Sequence, residues 1–363
     1  MAPSVSIVVP TIGRPSLRAL LGSLAAGTSL PEDVVLVDDR RLPMTPLLGS
    51  IDDEARSDVP EALRHRVRVL PGRGRGPAAA RNVGWRAARG EWVAFLDDDV
   101  LPPADWCAAL LADLESCADD VGASQGRIEV PLPGDRPPTD WERNVRGLET
   151  ARWATADMAY RRAALTSSGG FDERFPRAYR EDADLGLRTV ELGWRIERGR
   201  RLVQHPVRPA DRWVSVRLQR GNADDVLMRV VHGPRWRERA GVPIGRRRRH
   251  LATAAALAVA AGGALTGKRA VGLAGLAAYA AQVAELAWAR IAPGPRTRDE
   301  VATMLATSAV LPLAATWHWL AGWARVRRLV VTGGPIAAPV DDGVTGTADE
   351  GAVVRVTTVE LPA

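Results

Sequence analysis

The stretch Glu91-Trp92-Val93-Ala94-Phe95-Leu96-Asp97-Asp98-Asp99-Val100 decides how the chain is read. Its apolar run has the length of a buried strand and ends in three adjacent carboxylates. In open α/β sheets ligands bind in the crevice outside the C-terminal ends of the strands, which is the edge these acids would occupy. Neighbouring carboxylates repel one another and are costly to hold together without a cation. Oxygen-only ligands suit a hard ion such as Mg2+ or Mn2+, which also binds substrate phosphates. Taken alone, the stretch is compatible with a metal–diphosphate site and with a solvated acidic turn.

Upstream, Val5 to Val9 reads as a buried strand stopped by Pro10. Leu17, Leu20, Leu21 and Leu24 then fall on one helical face, and Val34 to Val37 forms a second apolar strand ending in Asp38-Asp39. Strand, helix, strand at this spacing is a βαβ unit, so these two acids face the same edge as the triplet. Residues 40–65 read as irregular, Val67 to Leu70 as a strand, Pro71 to Pro77 as a flexible loop, and Ala78 to Ala88 as a helix carrying Arg81 and Asn82. The loop glycines do not follow a dinucleotide or P-loop spacing, and anion contact by Arg73 or Arg75 is the minor reading.

Downstream, the pattern predicts a helix over 105–118, a strand over 121–130, a return to the sheet over 153–160 and a short helix over 161–168 ended by Gly169-Gly170. A second acidic cluster, Glu181-Asp182-Ala183-Asp184, opens a helix. One of these acids can be explained as a cap, but Glu181 and Asp182 cannot both be the same cap. Leu202 to Gln204 reads as a short strand leading to His205, and residues 213–231 as one amphipathic helix carrying Arg217 and Arg220.

The 363 residues suffice for one large domain or two ordinary ones. Lys268 is the sole lysine, so the formal charge of +6 is carried almost wholly by arginine, whose fork suits carboxylates and phosphates. No recognition-helix pattern or interleaved aromatic stack argues for nucleic acid as a partner. Cys107 and Cys117 lie in one predicted helix, too far apart to bridge, which fits a reducing compartment. Residues 1–6 lack the basic and apolar parts of a signal peptide, so the N-terminal part is expected in the cytoplasm.

These residues together resemble the family 2 glycosyltransferases, over residues 4–220. The landmarks occur in the family's order: Val8-Val9-Pro10-Thr11 with Arg14-Pro15; Val37-Asp38-Asp39; Ala80-Arg81-Asn82-Val83-Gly84 before Phe95-Leu96-Asp97-Asp98-Asp99; and Gly169-Gly170-Phe171-Asp172-Glu173 before Glu181-Asp182-Ala183-Asp184-Leu185. The resemblance implies a GT-A fold, a mostly parallel mixed sheet flanked by helices. It also implies inverting, metal-dependent transfer of a sugar from a nucleotide-diphosphate donor to a hydroxyl. On it, Asp97 and Asp99 hold a Mg2+ or Mn2+ ion, with His205 as a third ligand. Pro10, Thr11, Asp38, Asp39, Arg81, Asp97 and Asp98 contact the donor, and Asp182 is the base with Glu181 beside it.

Three departures qualify the resemblance. Arg40-Arg41 follows Asp38-Asp39 where Gly-Ser is frequent, which bears on the nucleobase. Asp157 stands where Asn is common, which bears on the acceptor pocket. The Gln-x-x-Arg-Trp signature of processive synthases is missing, because Gln219-Arg220 is followed by Gly221-Asn222, so transfer of one or a few sugars is expected.

Composition changes after Arg246-Arg247-Arg248-Arg249. The chain divides into a catalytic domain over 1–245, hydrophobic helices over 246–330 and a disordered tail over 331–363. The apolar segments are 251–267, 270–289 and 301–324; the last is uncharged and long enough to span a bilayer, the first two shorter. Membrane association through residues 251–324 would bring the catalytic domain to a lipid-linked or cell-envelope glycan acceptor at the cytoplasmic face of the membrane. An accessory helical domain is the competing reading. Three spans would put Arg325, Arg327 and Arg328 outside, against the positive-inside rule, whereas two spans or a re-entrant hairpin at Lys268-Arg269 would keep them inside. A nucleotidyltransferase also uses carboxylate-bound Mg2+ on an α/β sheet, but no glycine-rich, lysine-containing loop follows the first strand. An inactive scaffold would not need the acids, and all of them are present.

Overall fold

The computed structural model describes residues 3–48 and 58–331. Residues 49–57 of the expected irregular segment and residues 332–363 of the expected tail lie outside the described residues. The strands are β1 Val5–Thr11, β2 Asp33–Asp38, β3 Val67–Pro71, β4 Trp92–Leu96, β5 Val121–Glu129, β6 Asp157–Arg161 and β7 Arg195–Gln204. The α-helices are α1 Ser16–Ala25, α2 Pro77–Ala87, α3 Trp106–Glu115, α4 Asp140–Arg146, α5 Arg162–Ser168, α6 Glu181–Glu191, α7 Val214–Arg217, α8 Asn222–His232, α9 Trp236–Arg239, α10 Arg247–Leu265, α11 Arg269–Ile291 and α12 Arg298–Val331.

The strands form one mixed sheet in the order β3-β2-β1-β4-β6-β5-β7. β3, β2, β1 and β4 are parallel, and β6 enters antiparallel beside β4. β1 and β2 are apolar on both faces because both faces are covered, as parallel strands require. Ile7 and Val9 pack into the core under α1 and α3, while Val8 packs into the core on the α2 and α6 side. Gly84 lets α2 press onto β1, since a Cβ there would stand 2.3 Å from Val8 Cγ1. Strand order reverses between β1 and β4, so a crevice opens at their C-terminal ends, where Thr11 and the Asp97-Asp98-Asp99 triplet sit.

Two elements differ from expectation. β7 is a ten-residue strand beginning at Arg195, not a short one at Leu202. It occupies a sheet edge, where exposed arginines are tolerated and the hydrophobic signal is lost. The single helix expected over 213–231 is broken into α7, a 3-10 turn over Leu218–Gly221, and α8. The Tyr179 ring lies against Gly221, so that a Cβ there would stand 2.6 Å from it.

Among the described residues of the C-terminal region, two helices are long and apolar enough to cross a membrane, Arg269–Ile291 and Arg298–Arg328. The second apolar segment therefore qualifies as well as the third. α10 and α11 form a hairpin so close that a Cβ on Gly263 would stand 2.3 Å from Gly272 N. α12 lies against the sheet domain at both of its ends. Near its start, Glu300 accepts from the Asp140 backbone N–H at 2.8 Å, and Arg290 of α11 joins Thr307 and Ser308 to Asp140 and Ser215. Near its end, Gly322 abuts Ala223, Arg325 pairs with Asp224 at 3.2 Å, and Val326 enters the core beside Val226. At 1.5 Å per residue these attachments are about 39 Å apart.

Candidate active site

The crevice between the ends of β1 and β4 is a cleft of about 250 Å³ lined by Thr11, Arg14, Asp39, Arg81, Asp97 and His205, among others. The three aspartates of the triplet point to three different sets of partners. Asp98 is buried, accepts from Thr11 Oγ1 at 2.6 Å and pairs with Arg14 Nη1 at 2.8 Å. It ties the end of β4 to the end of β1, and its charge is offset within the protein.

Asp97 and Asp99 point toward His205. One ligand atom from each of the three lies within 4.8 Å of the others, which is the spacing that a shared cation requires. His205 reaches this place because its backbone N–H donates to Glu129 O at the end of β5, at 2.8 Å. Its Nδ1 is buried with no hydrogen-bond partner among the described residues, and its Nε2 stands 3.5 Å from Asp99 Oδ1. Burial and the neighbouring Asp97 carboxylate push Asp99 above the usual carboxylate range. An under-neutralised carboxylate pair with an unpartnered imidazole nitrogen fits a hard divalent ion of the Mn2+ type. Arg208, three residues after His205, reaches Asp99 Oδ2 at 2.8 Å while remaining 46% exposed on the side chain. It was not recognised from sequence; its spacing from His205 is the signal that was available.

Arg81 connects this half of the cleft to the second acidic cluster. Fully buried on α2, it pairs with Asp97 Oδ1 at 2.8 Å and Glu181 Oε1 at 2.7 Å, with its guanidinium over the Phe171 ring. Burial and the adjoining Asp182 push Glu181 up to about 8, with Arg81 opposing the shift. Burial raises Asp182 as well, so the adjacent carboxyls hold one negative charge more readily than two. They differ in reach. Glu181 is buried, with Oε2 unpartnered among the described residues, whereas Asp182 is half-buried and accepts from the Ala183 backbone N–H at 2.7 Å. The hydroxyl of Tyr160 is also buried and without a partner among the described residues. The residue before this pair, Arg180, has φ of +79°, a left-handed conformation rare for a side-chain-bearing residue.

Other acids named from the sequence are already satisfied. Asp38 is bonded by the Arg40 guanidinium through both carboxylate oxygens and held below the usual range despite its burial. Asp39 accepts from the Arg75 and Gly76 backbone N–H groups, each at 2.9 Å, and lines the cleft. Arg75 itself pairs with Glu173 at 3.0 Å. Asp184 is held by Arg188 and by His232 Nε2 at 2.7 Å, which makes it structural. Asp157 is sealed from any acceptor: Trp106 donates to it at 2.8 Å and Arg201 at 2.7 Å. Arg217 pairs with Asp211 on an exposed surface, consistent with a solvated helix face.

Residues 6–184 match the family model described as glycosyl transferase family 2. A pre-mycofactocin glycosyltransferase of Mycobacterium tuberculosis H37Rv is 31% identical over 206 residues, covering 53% of this chain and 40% of that protein. The succinoglycan biosynthesis protein ExoO of Rhizobium meliloti is 38% identical over 101 residues, 27% of this chain and 26% of that protein. The chain thus spans less than half the length of these curated relatives. Among solved structures, the mannosyltransferase PcManGT from Pyrobaculum calidifontis in complex with GDP-Man and Mn2+ is 19% identical, covers 92% of this chain and 89% of its own, and has a TM-score of 0.45. GalNAc-T7 with UDP, GalNAc and Mn2+ is also 19% identical with a TM-score of 0.45, covering 57% of this chain and 44% of its own.

Proposed function

We propose that this chain, whose residues 6–184 belong to glycosyltransferase family 2, transfers a sugar from a nucleotide-diphosphate donor to a hydroxyl acceptor with inversion. The observation that carries the reading is Arg81, one buried guanidinium joining the Asp97 side of the cleft to Glu181. Arg81 thereby links the leaving-group site to the acid pair that supplies the base.

In this reading Asp97, Asp99 and His205 hold a divalent ion, which when bound offsets the charge developing on the departing diphosphate. Asp98 keeps the end of β4 in register with Thr11 and Pro10. Asp39 lines the cleft and Asp38 does not, which makes Asp39 the better placed of the two for the nucleobase. Arg14 and Arg208, the exposed arginines of the cleft, bind the donor phosphates. Asp182 takes the acceptor proton, because it is the more exposed acid of its pair. Glu181 supports it from behind, held by Arg81.

We also propose that the chain is membrane-associated, with the catalytic domain on the cytoplasmic side and a lipid-linked or envelope glycan as acceptor. The attachment of α12 at both ends to the sheet domain argues against three spans. The α10–α11 hairpin is the inserting element, with Val259, Leu265, Leu273 and Leu276 exposed around a tip at Lys268-Arg269. Arg246 and Arg249 pair with Glu285 at its base. In this arrangement the catalytic domain ends near residue 245 and the hydrophobic helices near residue 330.

The decisive variant is Asp182→Asn. Turnover of the donor should fall about 10²- to 10⁴-fold, while binding of the nucleotide diphosphate with Mn2+ is retained. Unchanged turnover would remove Asp182 from the role of base.

A further inference from the structure

We infer that α12, acting through Arg325 and Asp224, positions the segment that carries Glu181 and Asp182, so that the C-terminal helices belong to the transferase itself and are not a detachable anchor. The inference rests on the reading of Asp182 as the base.

The chain from Phe171 to Asp182 has little regular structure of its own before α6 starts. What fixes it is a set of attachments to α8. Arg177 Nε donates to Asp224 Oδ2 at 3.0 Å, and Arg177 also reaches Arg220 O. Three residues later, Arg180 Nε donates to Asp225 Oδ1 at 2.8 Å, and its guanidinium lies over the rings of Tyr179 and Trp236. Arg237 bonds the other oxygen of Asp225. The left-handed backbone at Arg180 costs energy for a residue with a Cβ and persists only where its surroundings over-determine it. Here three contacts on one side chain do so, one residue before Glu181.

α12 completes this arrangement from the opposite side. Asp224 is fully buried, and while Oδ2 serves Arg177, Oδ1 serves Arg325 of α12. Arg325 also donates to the backbone carbonyl of Arg174, inside the segment itself. The contact is backed by packing, since Gly322 lies against Ala223 and Val326 enters the core with Val226. The cleft side offers no slack either. The Pro176 carbonyl would stand 2.8 Å from a Cβ on Gly76, and Ala178 lines the cleft. The acid-bearing segment is thus clamped between the loop that holds Gly76, α8 and α12. Removing Arg325 leaves a buried carboxylate with one arginine in place of two and frees the Arg174 carbonyl. The segment then relaxes where a displacement of about 1 Å can cost on the order of 10²-fold in rate.

Arg325 is a positioning residue, and its test uses the full-length chain with Arg325→Ala, Arg325→Lys and, as a control on the helices, Arg249→Ala at the hairpin base. UDP-glucose and GDP-mannose with Mn2+ serve as probes, and release of the nucleotide diphosphate is measured. For whichever is turned over, Arg325→Ala should lower kcat about ten- to hundred-fold with donor KM changed less than about twofold. Arg325→Lys should recover most of the loss, and Arg249→Ala should match the wild type. Amide hydrogen exchange should rise over residues 174–183 in Arg325→Ala. That measurement stands even if neither sugar nucleotide is a substrate, so a failed donor choice and a failed inference are distinguishable. Exchange that rises only within α12, or kcat and KM lost in parallel with no rescue by lysine, would overturn the inference. Should Arg325→Ala fail to fold, Arg325→Gln is read by the same two measurements.

Discussion

Two groups of carboxylates are withdrawn from water in this domain, and they are built on opposite principles. Around Arg201, every carboxylate oxygen of Asp113 and Asp157 accepts a hydrogen bond. Arg201 reaches Asp157 at 2.7 Å, Asp113 at 3.1 Å and Ser124 Oγ at 2.9 Å, while Trp106 and the Arg200 backbone N–H take further oxygens. Around Arg81, by contrast, an imidazole nitrogen, a carboxylate oxygen and a tyrosine hydroxyl find no partner among the described residues. A matched cluster has nothing left to bind and contributes specificity to the fold. An unmatched one has capacity left for a cation, a donor and a proton. Buried charge alone therefore does not mark a site; incomplete pairing does.

The largest expected effect separates the two clusters through stability. Arg201→Met leaves Asp113 and Asp157 buried without a counter-charge and should cost about 3–5 kcal/mol of unfolding free energy. Denaturant titration measures it, and nucleotide affinity of the protein that remains folded should be unchanged. A comparable loss of nucleotide affinity would mean that the clusters are not separate. A smaller effect is expected from Arg208→Ala on the open cluster. Loss of one charged hydrogen-bond donor on a partly exposed side chain should weaken binding of a nucleotide diphosphate with Mn2+ about tenfold, with the melting temperature of the free protein retained. Calorimetric titration would decide this.

The smallest effect is a displacement of the pH profile. As the proposed base, Asp182 has to be ionised to accept a proton, and its burial raises it. Lowering the pH protonates it, so kcat should begin to fall above the ordinary aspartate range of about 4. A kcat profile that stays flat down to pH 4 would show that the proton acceptor lies elsewhere.

Much of this contrast was legible in the sequence, for reasons that also explain what was not. β1, β2 and β4 are covered on both faces and read as unbroken apolar runs, so the edge carrying Thr11, Asp38-Asp39 and Asp97-Asp98-Asp99 followed from local pattern. Glu181 and Asp182 were distinguishable because two adjacent acids exceed what one cap requires. Partner assignment was not legible, because it depends on contacts across long separations. Asp98 finds Thr11 and Arg14 more than eighty residues away, Arg81 finds Glu181 a hundred residues away, and Arg201 finds Asp157 from a charged edge strand that periodicity hides. Asp157 consequently read as an acceptor-pocket residue when it belongs to the matched cluster. The same blindness applied to α12. Its apolar composition reads as a span and it is long and apolar enough for one, while Arg325 and Glu300, which fasten its ends to the sheet domain, carried no local signal.

The central claim is that the Asp97, Asp99 and His205 side of the cleft has unfilled capacity for a cation and a diphosphate, independent of the proton chemistry at Asp182. Thermal shift of the wild type, Asp99→Asn and Asp182→Asn with UDP or GDP, each with and without Mn2+, tests it most directly, since a ligand that binds the folded state raises its melting temperature. The account predicts that nucleotide and Mn2+ together stabilise the wild type and Asp182→Asn alike and leave Asp99→Asn unmoved. Equal stabilisation of all three proteins, or stabilisation lost with Asp182→Asn and kept with Asp99→Asn, would contradict it.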